Sequence, residues 1–320
     1  MTLLPSWLST ITLPMPAALG SVNVYLVHTD AGTALIDTGL QDATSRHALK
    51  RALDTKGLSS RDIEAVLLTH YHVDHAGLAA ELQAEGAQII MSGADADMMV
   101  EFAAGSKNDE RRASLFADHP MPKEMKRRGA KMFAFLRSLG APVHPDRIVA
   151  DGEALTLAGL SFHVMATPGH TPGHLALACA EAQVVFTGDC VISPGATHMS
   201  GAPDRDRDNP YRGFMNALQR LDGLPDWIAF PGHGRPIRNL SKKVGEVRRH
   251  LTASLEGVAK RLTTEPVTAL ELSRAIDDTR AFPVWLALSQ TAAYLTELVE
   301  THRAVEERID GGLHYRRSSI

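Results

Sequence analysis

The stretch Thr69-His-Tyr-His-Val-Asp-His75 decides how this chain is to be read. It places three imidazoles and one carboxylate within six residues, a density of ligand-type side chains rarely met by chance. Neither regular element can use all four. On a helix, residues two apart point to different faces. On a strand, His70, His72 and Asp74 share one face and His75 does not. A turn between a strand and a helix can aim all four at neighbouring points. The apolar run Ala65–Leu68 reads as a short buried strand before the turn, and Ala76–Glu85 reads as a helix after it.

Three further stretches repeat this pattern of apolar run, glycine-containing turn and ligand-type residue. Val164–Ala166 leads into Thr167-Pro-Gly-His170, Val184–Phe186 into Thr187-Gly-Asp189, and Ile228–Phe230 into Pro231-Gly-His233. If these strands lie side by side, His70, His72, Asp74, His75, His170, Asp189 and His233 meet at one edge of the sheets. Loops at the ends of rigid strands are where catalytic groups usually sit.

Five imidazoles and two carboxylates suit zinc first, with iron or manganese as alternatives, better than calcium or magnesium. Seven ligands are too many for one tetrahedral ion. Two divalent ions are the economical reading, with one carboxylate bridging them. Ions about 3.5–4 Å apart can share a hydroxide as nucleophile.

These segments resemble the metallo-β-lactamase superfamily, whose signature is the His-x-His-x-Asp-His turn. Thr167-Pro-Gly-His-Thr-Pro-Gly-His174, Phe186-Thr-Gly-Asp189, Pro231-Gly-His233-Gly and Ala34-Leu-Ile-Asp-Thr-Gly39 are similar to further segments of that family, over about residues 20 to 238. The resemblance implies an α/β fold, the αββα sandwich, with the metals at one edge. It assigns His70, His72 and His170 to a first metal, Asp74, His75 and His233 to a second, and Asp189 to the bridge. Asp37 would support a ligating imidazole from behind.

The rest of the chain sets the organisation. Val22–Val27 and Thr33–Ile36 read as strands and Ser45–Lys56 as a helix. Residues 95–139 read as a helical insertion, in which Met98, Met99, Phe102, Phe133 and Phe135 could line an apolar wall over the metals. After Pro236 the composition shifts. Helical stretches at 244–262, 268–276 and 283–302 precede a hairpin around Asp310-Gly-Gly312, and three helices with a hairpin make a winged helix. The expected division is a catalytic domain over 1–240 and a small winged-helix domain over 241–320. A terminal winged helix is similar to one branch of the superfamily, related to glyoxalase II-type hydrolases and including endoribonucleases.

Composition narrows the function. At 320 residues with a net charge of −4, the chain has no general attraction for nucleic acid or anionic membrane. From 241 to 320, 12 basic residues face 11 acidic ones, and the stretch 284–301 holds no Lys or Arg. A helix that reads nucleic acid wants both, so a nucleic-acid partner is disfavoured. With Cys179 and Cys190 the only cysteines, no export signal and no apolar stretch of bilayer length, the chain reads as cytoplasmic. A homodimer is compatible with all of this.

The expected reaction is attack by a metal-bound hydroxide on an organic ester, thioester or lactone. RNA phosphodiester hydrolysis assisted by the winged helix is the alternative. Asp74 would hold its metal and orient the nucleophile, and His198, near the metals, would bind substrate or carry a proton. His174 is expected to support the site and Cys190 to be a small buried residue. Ile192 stands where related homoserine-lactone hydrolases carry Tyr, which argues against that activity. The run Asp204-Arg-Asp-Arg-Asp208 is expected to be a solvated loop.

Overall fold

The computed structural model describes residues 5–16, 20–104, 118–195, 198–199, 209–224, 226–274 and 284–319. Two sheets form its centre. The first has the order β1 (Leu8–Pro14), β2 (Ser21–Thr29), β3 (Gly32–Ile36), β4 (Ala65–Leu67), β5 (Gln88–Ser92), β6 (Arg147–Val149). It is antiparallel from β1 to β3 and parallel from β3 to β6. The second runs β11 (Ile228–Pro231), β10 (Val184–Gly188), β9 (Leu175–Cys179), β8 (Leu160–Ala166), β7 (Ala154–Leu157), with only β10 and β11 parallel.

Strand periodicity builds the layers. Along β2, Tyr25 and Val27 enter the core between the sheets, while Val22, Val24 and Leu26 turn to the opposite face. Along β10, Val184 and Phe186 face the first sheet and Val185 faces the other way. Side chains two apart share a face, so each sheet is apolar on both sides and needs a helical layer outside it. The first sheet is covered by α1 (Ala43–Asp54), α2 (Val73–Ala76), α3 (Ala79–Ala84) and α4 (Gly93–Ala104). The second packs on α6 (Pro210–Asp222), α7 (Leu240–Arg261), α8 (Ala269–Ser273) and α9 (Val284–Glu300). The expected αββα sandwich results.

Several elements depart from their sequence reading. The expected helix 76–85 starts at Val73 and is broken at Gly77-Leu78. Thr38 occupies the break: its hydroxyl donates to His75 O at 2.8 Å and accepts from Leu78 N at 3.2 Å. A Cβ on Gly77 would lie 2.5 Å from Val73 O and 2.7 Å from Gly39 O, so only glycine permits this close approach. The edge strands β1 and β6 have no strong sequence signal, since pairing with β2 and β5 makes them strands.

The insertion contributes α4 and α5 (Lys123–Arg137). Of the residues expected to form an apolar wall, Met99 and Phe102 line a cleft with Tyr71 and Val73, the neighbours of His72. Met99 is buried in the core under the first sheet, Met98 and Phe102 pack against that core, and Phe135 is 46% exposed. The insertion's residues 105–117 and the run Asp204–Asp208 lie outside the described residues. Beyond 240, α7, α8 and α9 are followed by a sheet of order β12 (Val267–Thr268), β14 (Gly312–Arg317), β13 (Ala304–Ile309). Their apolar residues share one core with β10 and α6.

Candidate metal centre

Each ligand candidate follows a strand or opens the helix after it. His70 and His72 lie between β4 and α2, Asp74 and His75 on α2, His170 after β8, Asp189 after β10 and His233 after β11. Backbone hydrogen bonds close these ends on one another, Leu175 N to Thr69 O at 2.9 Å and Asn23 N to Gly232 O at 2.7 Å. All seven expected residues are brought together, in three overlapping groups: His70, His72, His170; His70, His75, Asp189; and Asp74, His75, His233. Ligand atoms within each group lie within 4.8 Å of one another.

The hydrogen bonds assign the ring nitrogens. Thr69 Oγ1 donates to Asp37 Oδ2 at 2.9 Å and therefore accepts from His70 Nδ1 at 3.0 Å. His170 Nδ1 donates to the carbonyl of His198 at 2.9 Å. The Nε2 lone pairs of both rings then face His72 Nδ1 at 3.0 Å. Burial, with like-charged neighbours adding to it for His70, holds His70 and His170 well below the usual imidazole pKa; burial likewise brings His72 to about 3. A proton on His72 Nδ1 can be donated to only one of these lone pairs at full strength, whereas a cation between the three nitrogens would satisfy both.

In the second group His75 Nδ1 donates to Asp37 Oδ2 at 2.8 Å, and His233 Nδ1 donates to Ser21 O at 2.7 Å. Their Nε2 atoms face Asp74 Oδ2 at 3.6 and 3.3 Å. Burial lowers both rings, but the carboxylates overcome it. Asp74, Asp189 and Asp37 raise His75 to about 9, and Asp189 and Asp74 raise His233 to about 11. Asp74 is brought down to about 2 against its burial by His75 and His233.

Asp189 reaches both groups. Its Oδ2 lies 3.6 Å from His170 Nε2 and 3.3 Å from His233 Nε2, and its Oδ1 lies 3.5 Å from His75 Nε2. His75 Nε2 and Asp189 Oδ1 are buried without a hydrogen-bond partner. Orphaned polar atoms of this kind need an explanation, and cations between the groups would satisfy both. Gly232 keeps the space open, because a Cβ there would meet Asp189 Oδ1 and come within 2.6 Å of His75 Cε1.

Asp37 serves both groups at once, through Thr69 to His70 and directly to His75. It ends β3 with φ of 63°, a left-handed conformation that aspartate tolerates better than most residues. His174 also supports the site. Its Nε2 accepts from Asp189 N at 3.0 Å and its Nδ1 donates to Thr167 Oγ1 at 2.7 Å. The ring of His198 stands 4.9 Å from that of His170 and stacks on His72 at 6.3 Å. Cys190 is fully buried in the outer core and in none of the three groups.

Sequence reasoning missed three supports. Asp95 is buried at the start of α4, where Oδ1 accepts from Gly173 N at 2.6 Å and Oδ2 from Thr171 Oγ1 at 2.6 Å and Tyr71 N at 3.1 Å. It ties the loop of His72 to the loop of His170. Asn23 Nδ2 and Tyr25 Oη both donate to Pro231 O, at 3.0 and 2.6 Å, and fix the loop of His233. The only signal available was a polar residue within an apolar strand, at Asn23.

The sequence model of the Metallo-beta-lactamase superfamily matches residues 17–233, a span holding every ligand candidate. This chain belongs to the metallo-β-lactamase superfamily. A metallo-beta-lactamase family protein of Thermus thermophilus, TTHA1429, superposes with a TM-score of 0.85 at 30% identity, covering 98% of this chain and 99% of its own. The probable metallo-hydrolase YqjP of Bacillus subtilis is 28% identical over 95% of this chain and 96% of its own length. An atrochrysone carboxyl ACP thioesterase of Aspergillus fumigatus is 26% identical over 72% of this chain and 56% of its own. Within this superfamily the His and Asp cluster implies divalent metals, and the chain is a hydrolase.

Proposed function

We propose that this superfamily member hydrolyses an organic thioester or ester with two divalent ions, zinc first and iron or manganese as alternatives. His70, His72 and His170 would hold one ion, and Asp74, His75 and His233 the other, with Asp189 between them. The observation that carries this reading is the pair of buried orphan atoms, His75 Nε2 and Asp189 Oδ1, facing each other at 3.5 Å. When bound, the ions supply water that ionises near neutral pH and polarise the scissile oxygen.

The chain's own residues set the stage for that chemistry. Asp37, Thr69, Ser21 O and His198 O take the outer ring protons of the imidazoles and so aim the inner nitrogens inward. Asp74 stays ionised and orients the attacking water. The ring of His198, which burial holds below the usual imidazole pKa, is neutral near pH 7 and would take a proton or contact the substrate.

The thioester class is favoured by the relative named as a thioesterase. RNA cleavage is disfavoured by the region after 240, which we read as a winged-helix unit packed on the catalytic part through a shared core. Its third helix α9 carries no Lys or Arg and turns its acids toward the catalytic part. Glu297 Oε2 accepts from Asn209 Nδ2 at 2.7 Å and from Arg212 at 3.0 Å. No helix among the described residues is long and apolar enough to cross a membrane.

A paired assay on zinc-loaded protein tests the proposal, comparing an acyl thioester with an activated phosphodiester. Faster thioester turnover that disappears in Asp189→Ala is expected. Dominant phosphodiester cleavage would replace the reading by that of a nuclease.

A further inference from the structure

The chain as a whole is acidic, with a net charge of −4, yet one exposed helix is strongly basic. Between Lys123 and Lys131, α5 carries Lys123, Lys126, Arg127, Arg128 and Lys131 against Glu124 alone, a local net charge of +4. Lys123, Arg127 and Lys131 recur every fourth residue and so form one row on the helix surface. All three are exposed, and Phe135, next in the row, is 46% exposed.

Helix stability does not account for this row. Like charges four residues apart repel along a helix. Positive charge near the first turn also opposes the helix dipole, and Pro122 at the cap makes no side-chain hydrogen bond to soften it. Glu124 offsets part of the charge by bridging Arg127 and Arg128 at about 3 Å. The row remains a concentrated positive face at the helix end where it is least favourable.

The far end of the same helix comes near the loop of His72. Arg137, at the C-terminal end of α5, lines a cleft together with Tyr71 and Val73, the two neighbours of His72. At 1.5 Å per residue the row runs about 12 Å from Lys123 to Lys131, and its near end lies about 9 Å along the axis from Arg137. Phe135, which ends the row, and Arg137, which lines the cleft, are two residues apart and so lie on different sides of the same helix.

We propose that the Lys123–Arg127–Lys131 row, ending on Phe135, docks an acidic helix of an acyl carrier protein whose thioester enters the metal centre. This rests on the thioesterase reading above and names its substrate class. The length of the row and its four-residue spacing match a row of carboxylates on a facing helix better than a single phosphate. Phe135 supplies an apolar anchor at the edge of the charges. Steering by such a face acts on encounter rather than on the chemical step.

The test uses zinc-loaded full-length protein and one acyl group, octanoyl, on three carriers: N-acetylcysteamine, coenzyme A and an acyl carrier protein. The triple reversal K123E/R127E/K131E is expected to raise KM for the carrier-protein substrate by about tenfold or more, with kcat unchanged. High salt should produce the same rise in the unaltered protein. Turnover of the N-acetylcysteamine thioester should not change, which also shows that the variant is folded; the neutral K123Q/R127Q/K131Q variant should fall between. Unchanged carrier-protein kinetics would overturn the docking proposal while leaving the thioesterase reading intact. An equal loss with coenzyme A would overturn it in favour of phosphate recognition. If none of the three thioesters is hydrolysed, the thioesterase reading fails and the docking proposal fails with it.

Discussion

The two halves of the metal centre use the same side chain in opposite protonation states. His70 and His170, buried, and His72, partly buried, lie among other imidazoles and are held neutral, with His72 at about 3. His75, buried, and His233, partly buried, lie among carboxylates and are held protonated, at about 9 and about 11. Burial disfavours the charged ring in both halves, and the neighbouring carboxylates decide which side wins. The first half therefore presents lone pairs ready for a cation. The second must release protons before it can bind one.

The largest effect should come from the residue that joins the halves. Asp189→Ala is expected to lower kcat by more than the roughly 10–100-fold that removal of an outer-shell partner costs, and to leave fewer than two metals per chain by elemental analysis. A variant retaining both metals and near-normal turnover would break the picture of a shared carboxylate.

Asp37→Asn should sharpen the contrast. The amide can no longer accept from both Thr69 and His75, and the metal affinity of the centre should fall about 10–100-fold. Because Asp37 touches His75 directly and His70 only through Thr69, the weaker-bound ion should be lost first in a chelator titration.

Proton release tests the difference itself. At pH 7, calorimetry in buffers of different ionisation enthalpy should show about two protons released on filling the His75–His233 half and about none on filling the other. Equal release from both would sink the contrast.

The metal-free protein should show the same opposition in its stability. Below pH 6.5 the unfolded chain takes up protons that folded His72 and His174, each at about 3, refuse, so stability rises with pH. Above 6.5 the folded chain keeps protons on His75 and His233 that the unfolded chain has lost, so stability falls as pH climbs through about 9 and then 11. The melting temperature of metal-free protein should peak near pH 6.5.

The smallest effect is expected far from the centre. Thr268 caps α8 in a capping box with Glu271. Thr268→Ala should cost about 1 kcal/mol of stability by thermal or denaturant unfolding, with kcat unchanged.

The amino-acid sequence by itself determined the candidate ligand residues, the strand ends that carry them and the α/β class. These are local signals: apolar runs at β2 and β10, glycine turns, and four ligand-type side chains crowded between Thr69 and His75. The same local logic located the box at Thr268 and the hairpin around Asp310. Only the tertiary structure decided which nitrogen of each ring faces inward, because that depends on acceptors distant in the chain, Ser21 O for His233 and His198 O for His170. It also decided the use of Asp95, which looks like the start of an insertion and proves to hold two ligand loops together. The break at Gly77 and the edge strands β1 and β6 belong to the same class, since a neighbouring backbone rather than local preference makes them. Protonation was the least legible property of all. Five histidines of one chemical type separate into neutral and charged according to whether folding surrounds them with imidazoles or carboxylates.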